Sequence, residues 1–195
     1  SSCVDLCEIK TIEGIENKSY VLESITTSAF FGCTSLKKVS LAFGTLEVMS
    51  GNPFSSSKVL EEIRSVNDNG LFRVVDNQVY KDSELVVAIA PNQKEYTVPD
   101  SVTGIGMGAF MTCSSLDSVI IKNRSEIDIG SEAFYGTGLK IVSISGPVGT
   151  IGNSAFGNND LESVELTAKV ISTNVFKGNS RLDKIILHGN DCEVE

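Results

Sequence analysis

The sequence predicts a repeat solenoid of the α/β class, mostly β. It should wind as a right-handed coil, with a parallel sheet on its concave side and short turns or 3₁₀ helices on its convex side. Three observations predict this. Six of the nine phenylalanines fall into one register. Each is flanked at fixed offsets by the same kinds of small and aliphatic residue, and the interval between successive anchors stays close to the length of one coil.

The anchors are Phe30, Phe54, Phe110, Phe134, Phe156 and Phe176. Five residues earlier stand Ile25, Met49, Ile105, Ile129, Ile151 and Ile171, and one residue earlier Ala29, Pro53, Ala109, Ala133, Ala155 and Val175. Five or six residues later come Leu36, Leu60, Leu116, Leu139, Leu161 and Leu182. Three beyond those are Val39, Ile63, Val119, Val142, Val164 and Ile185, and two further on Leu41, Ser65, Ile121, Ile144, Leu166 and Leu187. Only Ser65 breaks its column. Anchors 30 to 54 and 110 to 134 are 24 residues apart, and the next two intervals shorten to 22 and 20. A unit this short cannot close a core alone, so stacking must bury the columns.

The L-x-x-V-x-L part alternates buried and exposed positions as a short strand does. One such strand per coil gives a parallel sheet, and parallel crossovers are right-handed. The A-F-x-x-C part is too short for a full helix, so a tight or 3₁₀ turn is expected outside. The interval from Phe54 to Phe110 is longer by 32 residues than one unit. Here Asn67-Asp68-Asn69-Gly70 signals a turn, Leu71 to Val75 and Gln78 to Tyr80 read as a hairpin around Asp76-Asn77, and Glu84 to Ala90 as a third strand ended by Pro91-Asn92. The expectation is an inserted antiparallel β-meander at 67–98 in a single domain spanning 1–195. Repeats fall at about 25–47, 48–66, 104–127, 128–149, 150–170 and 171–190, after an N-terminal cap or partial repeat at 1–24.

The segments Thr27-Ser28-Ala29-Phe30-Phe31-Gly32-Cys33-Thr34-Ser35-Leu36 and Ile105 to Leu116 resemble the BspA-like leucine-rich repeats, and Val98 to Ile105 resembles the segment between such repeats. The resemblance covers roughly residues 20 to 190. It implies a secreted or cell-surface protein that binds other proteins or attaches cells, with no catalytic residues. Repeat 2 departs from the pattern, because Gly51-Asn52-Pro53-Phe54-Ser55-Ser56-Ser57 lacks the Ala and the Cys.

Composition agrees with a folded chain. Hydrophobic residues make up 41% and charged residues 21%, and no apolar run approaches membrane-spanning length. The formal charge of -9 disfavours nucleic acid and anionic lipid as partners. The first residues show no basic segment followed by an apolar one; a secreted protein whose signal has been removed reads the same way.

No P-loop, dinucleotide-binding, zinc-protease or EF-hand pattern occurs. Asn67-Asp68-Asn69-Gly70 looks superficially like a calcium loop but lacks its closing glutamate. The single histidine, His188, is expected at a solvent-facing strand end, so neither a triad nor a metal site nor a cofactor is expected. Five cysteines is an odd number. Cys3, Cys7 and Cys192 leave a disulfide open. Cys33 and Cys113 share a repeat position with Ser57, Thr137, Asn159 and Asn179, where small residues that hydrogen-bond backbone suit a tight turn, so buried structural thiols are expected.

Function is therefore sought on the outward positions of the concave strands. These include Lys38, Glu62, Arg64, Ser118, Ile120, Lys122, Ile141, Ser143, Glu165, Lys184 and Ile186. Ile120 and Ile141 come from consecutive units and offer an apolar patch on a polar, slightly positive face. The expected function is a non-enzymatic protein-interaction or adhesion module, with a protein or a glycan as partner. A carbohydrate-binding or carbohydrate-active parallel β-helix, or a spacer without a ligand, are the competing readings.

Overall fold

The computed structural model describes residues 11–13, 22–90, 92–188 and 193–194. Cys3, Cys7 and Cys192 lie outside them. The chain winds as a mostly-β solenoid of about seven coils, and no helix occurs among the described residues. The convex corners are turns, not 3₁₀ helices.

Each full coil holds two strands. In the first two coils a short strand, β2 (Ser24–Ile25) or β4 (Val48–Met49), leads through the phenylalanine turn to a longer one, β3 (Lys38–Ala42) or β5 (Glu62–Asn67). Further on, β10 (Gly104–Ile105) leads to β11 (Ser118–Lys122), and β12 (Ile127–Ile129) to β13 (Ile141–Ser145). The stack ends with β14 (Val148–Ile151), β15 (Ser163–Ile171), β16 (Lys184–His188) and β17 (Glu193–Val194), and begins with β1 (Thr11–Glu13).

The long strands pair parallel in the repeat register, so Val39 faces Ile63, Val119 faces Val142 and Val164 faces Ile185. The short strands pair parallel as well: Ile25 faces Met49, and Ile105 faces Ile129, which faces Ile151. The column of isoleucines before the anchors thus builds a second parallel sheet. Strands of two to four residues are too short to show the alternation by which a strand is read from sequence.

The shortened last interval has a mechanical result. Leu166 and Ile171 are too close to allow a loop, so β15 runs unbroken along both faces. Its first half pairs with β16 and its second half with β14 and β17.

Anchor rings stack along the axis, with centroids 4.4 Å apart for Phe110 and Phe134, 5.2 Å for Phe134 and Phe156, and 5.8 Å for Phe156 and Phe176. Phe30 stacks on Phe54 at 5.5 Å. Between these stacks Tyr96 meets Phe110 edge-on at 5.1 Å. Five of the six residues at the second position before the anchor, Ser28, Gly108, Glu132, Ser154 and Asn174, adopt positive φ, whereas before Phe54 it is Gly51, three residues ahead of the ring, that does so. That left-handed kink is what folds the turn back under the ring.

The segment read as a three-stranded meander divides in the structure. Strands β6 (Phe72–Val75) and β7 (Gln78–Lys81) form the antiparallel hairpin, and β7 pairs antiparallel with β8 (Glu84–Val87). But β8 also pairs parallel with β10, and β9 (Glu95–Val98) pairs parallel with β11. Residues 84–90 and 92–98 are therefore part of a coil in the stack, with Leu85 in the isoleucine column and Tyr96 and Val98 facing Val119 and Ile121. The coil is degenerate because its turn carries no anchor phenylalanine, and Ala88-Ile89-Ala90 cut across the interior instead.

This short cut divides the core. Val79, Val86, Val87 and Ile89 pack into the N-terminal cluster with Phe43, Phe54 and Phe72, while Tyr80, Leu85, Ala88 and Ala90 pack into the C-terminal cluster with Tyr96 and Phe110. Strands β7 and β8 form a wall a single layer thick with one core on each side.

Two side-chain amides, one buried and one half-buried, fasten the wall. Gln78 takes the backbone of Ile89 at both ends, donating to its carbonyl at 3.0 Å and accepting from its N–H at 2.9 Å. Asn69, in the turn that looked superficially like a calcium loop, donates to the carbonyls of Phe43 and Leu46 at 2.8 and 2.7 Å and accepts from the N–H groups of Leu71 and Phe72.

Candidate functional site

The long-strand face was the candidate, and pairing places its residues in outward columns. Lys38 stands beside Glu62, and Ser40 beside Arg64. Glu95, Ser118 and Ile141 form one row, with Thr97, Ile120 and Ser143 the next. At the end of the stack Ser163 faces Lys184, and Glu165 faces Ile186. Glu95 and Thr97 were missed in the sequence because β9 was read as part of the meander. The signal was present in the Tyr-Thr-Val spacing, which matches Val-Ile-Ile of β11.

The face is not one continuous sheet. Strands β1, β3 and β5 form one panel, β9, β11 and β13 a second, and the first half of β15 with β16 a third. The hairpin separates the first two panels. The second and third abut without a ladder of hydrogen bonds between β13 and β15. A groove of about 420 Å³ opens there, lined by Val142, Ser143, Ser145, Glu165, Thr167 and His188 among others.

Charge is mostly neutralised on the first panel. Glu62 lies between Lys38, at 3.2 Å, and Arg64. The hydrogen bond from Lys38, with help from Arg64, holds the Glu62 carboxyl below its ordinary range. At the strand entrances Asp117 pairs with Lys140 at 3.0 Å and Lys94 at 3.4 Å, and this pairing, Lys140 first, lowers its carboxyl likewise. Lys122 and Lys184 make no ion pair among the described residues and are exposed.

Ile141 is 61% exposed, the most exposed large apolar side chain among the described residues. Ile120, one strand over and two positions along, is half-buried, so the two are diagonal neighbours across β11 and β13. On β16 the inward positions Ile185 and Leu187 are exposed, because no coil lies over them among the described residues.

His188 Nε2 lies 2.7 Å from Glu165 Oε1, and both side chains are exposed. No group of three or more His, Cys, Asp or Glu side chains is placed to hold a metal among the described residues. Cys33 and Cys113 are buried thiols. Burial pushes the Cys113 thiol up to about 12, although Thr112 and backbone oppose it. The position they share behaves alike in other coils: Thr137 donates to the Phe134 carbonyl, Asn159 to those of Phe134 and Phe156, and Asn179 to those of Phe156 and Phe176.

Such a stack, with aligned phenylalanine, leucine and isoleucine columns and outward columns free for contacts, defines a leucine-rich-repeat solenoid. The model of the BspA type leucine-rich repeat region matches residues 1–86 and 88–194 in six copies, and the chain belongs to this family. No curated protein matches it by sequence. Among solved structures it is similar to the pneumococcal vaccine antigen PcpA, with a TM-score of 0.64 and 18% identity over 92% of this chain and 52% of that one. A leucine-rich cell surface protein from Faecalibacterium prausnitzii A2-165 gives a TM-score of 0.62 and 17% identity, over 94% of this chain and 61% of that one. A leucine-rich repeat protein from Eubacterium ventriosum ATCC 27560 gives 0.50 and 16%, over 78% and 49%. At these identities the likeness is one of fold. The chain spans roughly half to three-fifths of these structures' lengths.

Proposed function

We propose that this chain is a non-enzymatic protein-interaction module of a secreted or cell-surface protein, and that it takes a protein partner on the panel formed by β9, β11 and β13. The observation that carries the reading is the exposure of Ile141 beside Ile120 on an otherwise polar sheet. An apolar pair at the middle of a contact, ringed by Ser118, Ser143 and Thr97, is the arrangement from which binding hot spots are built. Lys122 at the rim supplies an unpaired cation that steers an acidic partner. Membership of the family supports the setting, as does the description of one similar structure as a cell surface protein.

The test is binding of the purified chain to immobilised extracellular-matrix proteins, beside a glycan array. Ile120→Asp and Ile141→Asp together should weaken the bound partner about tenfold or more with an unchanged circular dichroism spectrum, since both positions point away from the core. Raising salt should slow association more than it speeds dissociation. Unchanged affinity in the double variant, and in a triple variant that also carries Lys122→Glu, removes this panel from consideration.

A further inference from the structure

The short-strand sheet carries a second cavity, on the other side of the coil from the proposed protein-binding panel. It is a trough of about 780 Å³ that runs along the stack axis over the coils of β8, β10, β12, β14 and the second half of β15. We propose that this trough is a binding site for an extended, uncharged polysaccharide.

The floor is made by the chain itself. Gly130 and Gly152 sit where a Cβ would lie 2.8 Å from the Ile105 carbonyl oxygen and 2.5 Å from the Ser131 nitrogen, so those coils are in backbone contact and the surface there stays low. Gly104 is different. A Cβ there would meet only the Glu84 side chain, at 3.5 and 3.9 Å, and the Asp128 carbonyl at 4.0 Å, all ordinary contacts. The recess at Gly104 is therefore a free hollow, with Glu84 on one side and Asp128 on the other in the same outward row. At one coil per strand spacing the two carboxylates stand roughly 10 Å apart.

The wall chemistry selects the ligand. Hydroxyls and an amide recur at matching positions of successive coils, in Ser131, Asn153 and Thr173, with Thr150 beside Asp128. Asp128 Oδ1 accepts the Thr150 N–H at 2.7 Å, which fixes the carboxylate in the trough wall. No Lys, Arg or His lines the cavity, and Lys169, whose charge reaches Asp128 from outside it, is paired with Glu126 at 2.6 Å, so an anionic polymer meets two carboxylates and no unpaired cation in the lining. An extended peptide lacks a foothold. The floor's backbone groups are consumed by the parallel ladders, and the isoleucine side chains of β10 and β12 are buried in the core, so neither strand addition nor an apolar anchor is available. A chain of hydroxyl-bearing rings laid along the axis matches donors and acceptors that repeat once per coil.

The test is affinity electrophoresis of the purified chain through gels holding mannan, xylan, galactan or a mixed-linkage β-glucan, with a polyuronate gel and soluble polylysine as contrasts. At least one neutral polymer should retard the chain. Gly104→Val fills the hollow from an outward strand position that suits a branched side chain, so it should cut the retardation by about tenfold or more with an unchanged melting temperature. Should that variant fold poorly, Glu84→Gln with Asp128→Asn keeps the shapes and removes the charges that accept sugar hydroxyls, and should weaken binding likewise. Ile141→Asp should leave the retardation unchanged, which separates this site from the protein-binding panel. The proposal is overturned if no neutral polymer retards the chain, if only the polyuronate or polylysine binds, or if retardation survives both trough variants.

Discussion

Asn52 and Gly108 are 56 residues apart in the chain, yet the Asn52 amide Nδ2 donates to the Gly108 carbonyl at 3.0 Å in a fully buried site. The same amide reaches the Ala109 carbonyl at 3.3 Å, its Oδ1 accepts the Phe54 N–H at 2.9 Å, and its backbone N–H donates to the Met107 carbonyl. The turn of the second coil thus rests directly on the turn of β10, because the degenerate coil between them has no turn of its own to interpose. Gly51 fits the same contact: a Cβ there would lie 2.9 Å from the Met107 carbonyl oxygen, with φ at 139°. Asn52→Ala leaves the buried Phe54 N–H without its acceptor, while the Gly108 and Ala109 carbonyls keep the N–H groups of Met111 and Ala88, so it should lower stability by about 2 kcal/mol. Urea unfolding checks this, and a loss below about 0.5 kcal/mol would show the amide to be dispensable.

Phe134 is fully buried between Phe110 and Phe156. Phe134→Ala should cost about 3–5 kcal/mol, the usual range for a core phenylalanine with a ring on each side. A shift under about 1 kcal/mol in a denaturant titration would mean that the stack contributes little.

Ser65 takes the place of leucine in its column, opposite Leu41, and its hydroxyl is buried without a hydrogen-bond partner. Removing an unsatisfied polar atom is favourable, so Ser65→Ala should stabilise the chain by about 1 kcal/mol. A lowered melting temperature in scanning calorimetry would contradict this.

Alkaline pH should destabilise the chain from about pH 9 upward. The Cys113 thiol ordinarily titrates near 9.0 and is pushed up to about 12 in the fold. Between those values the native state keeps a proton that the unfolded chain gives up. Stability is therefore intact below pH 9 and falls as pH rises toward 12. Tyr80 and Tyr96, raised chiefly by burial, act with the same sign at higher pH. Cys113→Ser should flatten the pH 9 to 10 part of the stability curve. The same burial makes the thiol slow to react with a disulfide reagent until the chain unfolds.

The repeat was legible because its signals are redundant: Phe134 is supported by Ile129, Ala133, Leu139, Val142 and Ile144 at once. The coil of β8 and β9 was not, since Ala90 stands five residues after Leu85, where an anchor is due, and antiparallel pairing with β7 gave it a second, louder identity as a hairpin strand. Asn52 stood out as a departure from pattern, but nothing local in Gly-Asn-Pro-Phe says that its amide spans a missing turn. At the candidate site, strand alternation was enough to put Ile120 and Ile141 outward. The lack of a ladder between β13 and β15, and the trough above Gly104, depend on how neighbouring coils sit against each other, which no single repeat encodes.

The wall at residues 79–90 has a consequence for how this protein comes apart. Two separate cores would ordinarily let the two ends of a solenoid melt one after the other, as repeat arrays do when an interface is weak. Here the two cores lean on opposite faces of the same two paired strands, β7 and β8. Val79 and Tyr80 are consecutive residues committed to different halves, as are Leu85 and Val86. Neither half can loosen without stripping the other of the surface it packs against. A partition in the packing is thereby a shared wall in the energetics, and the irregular coil ties the two halves into one cooperative unit.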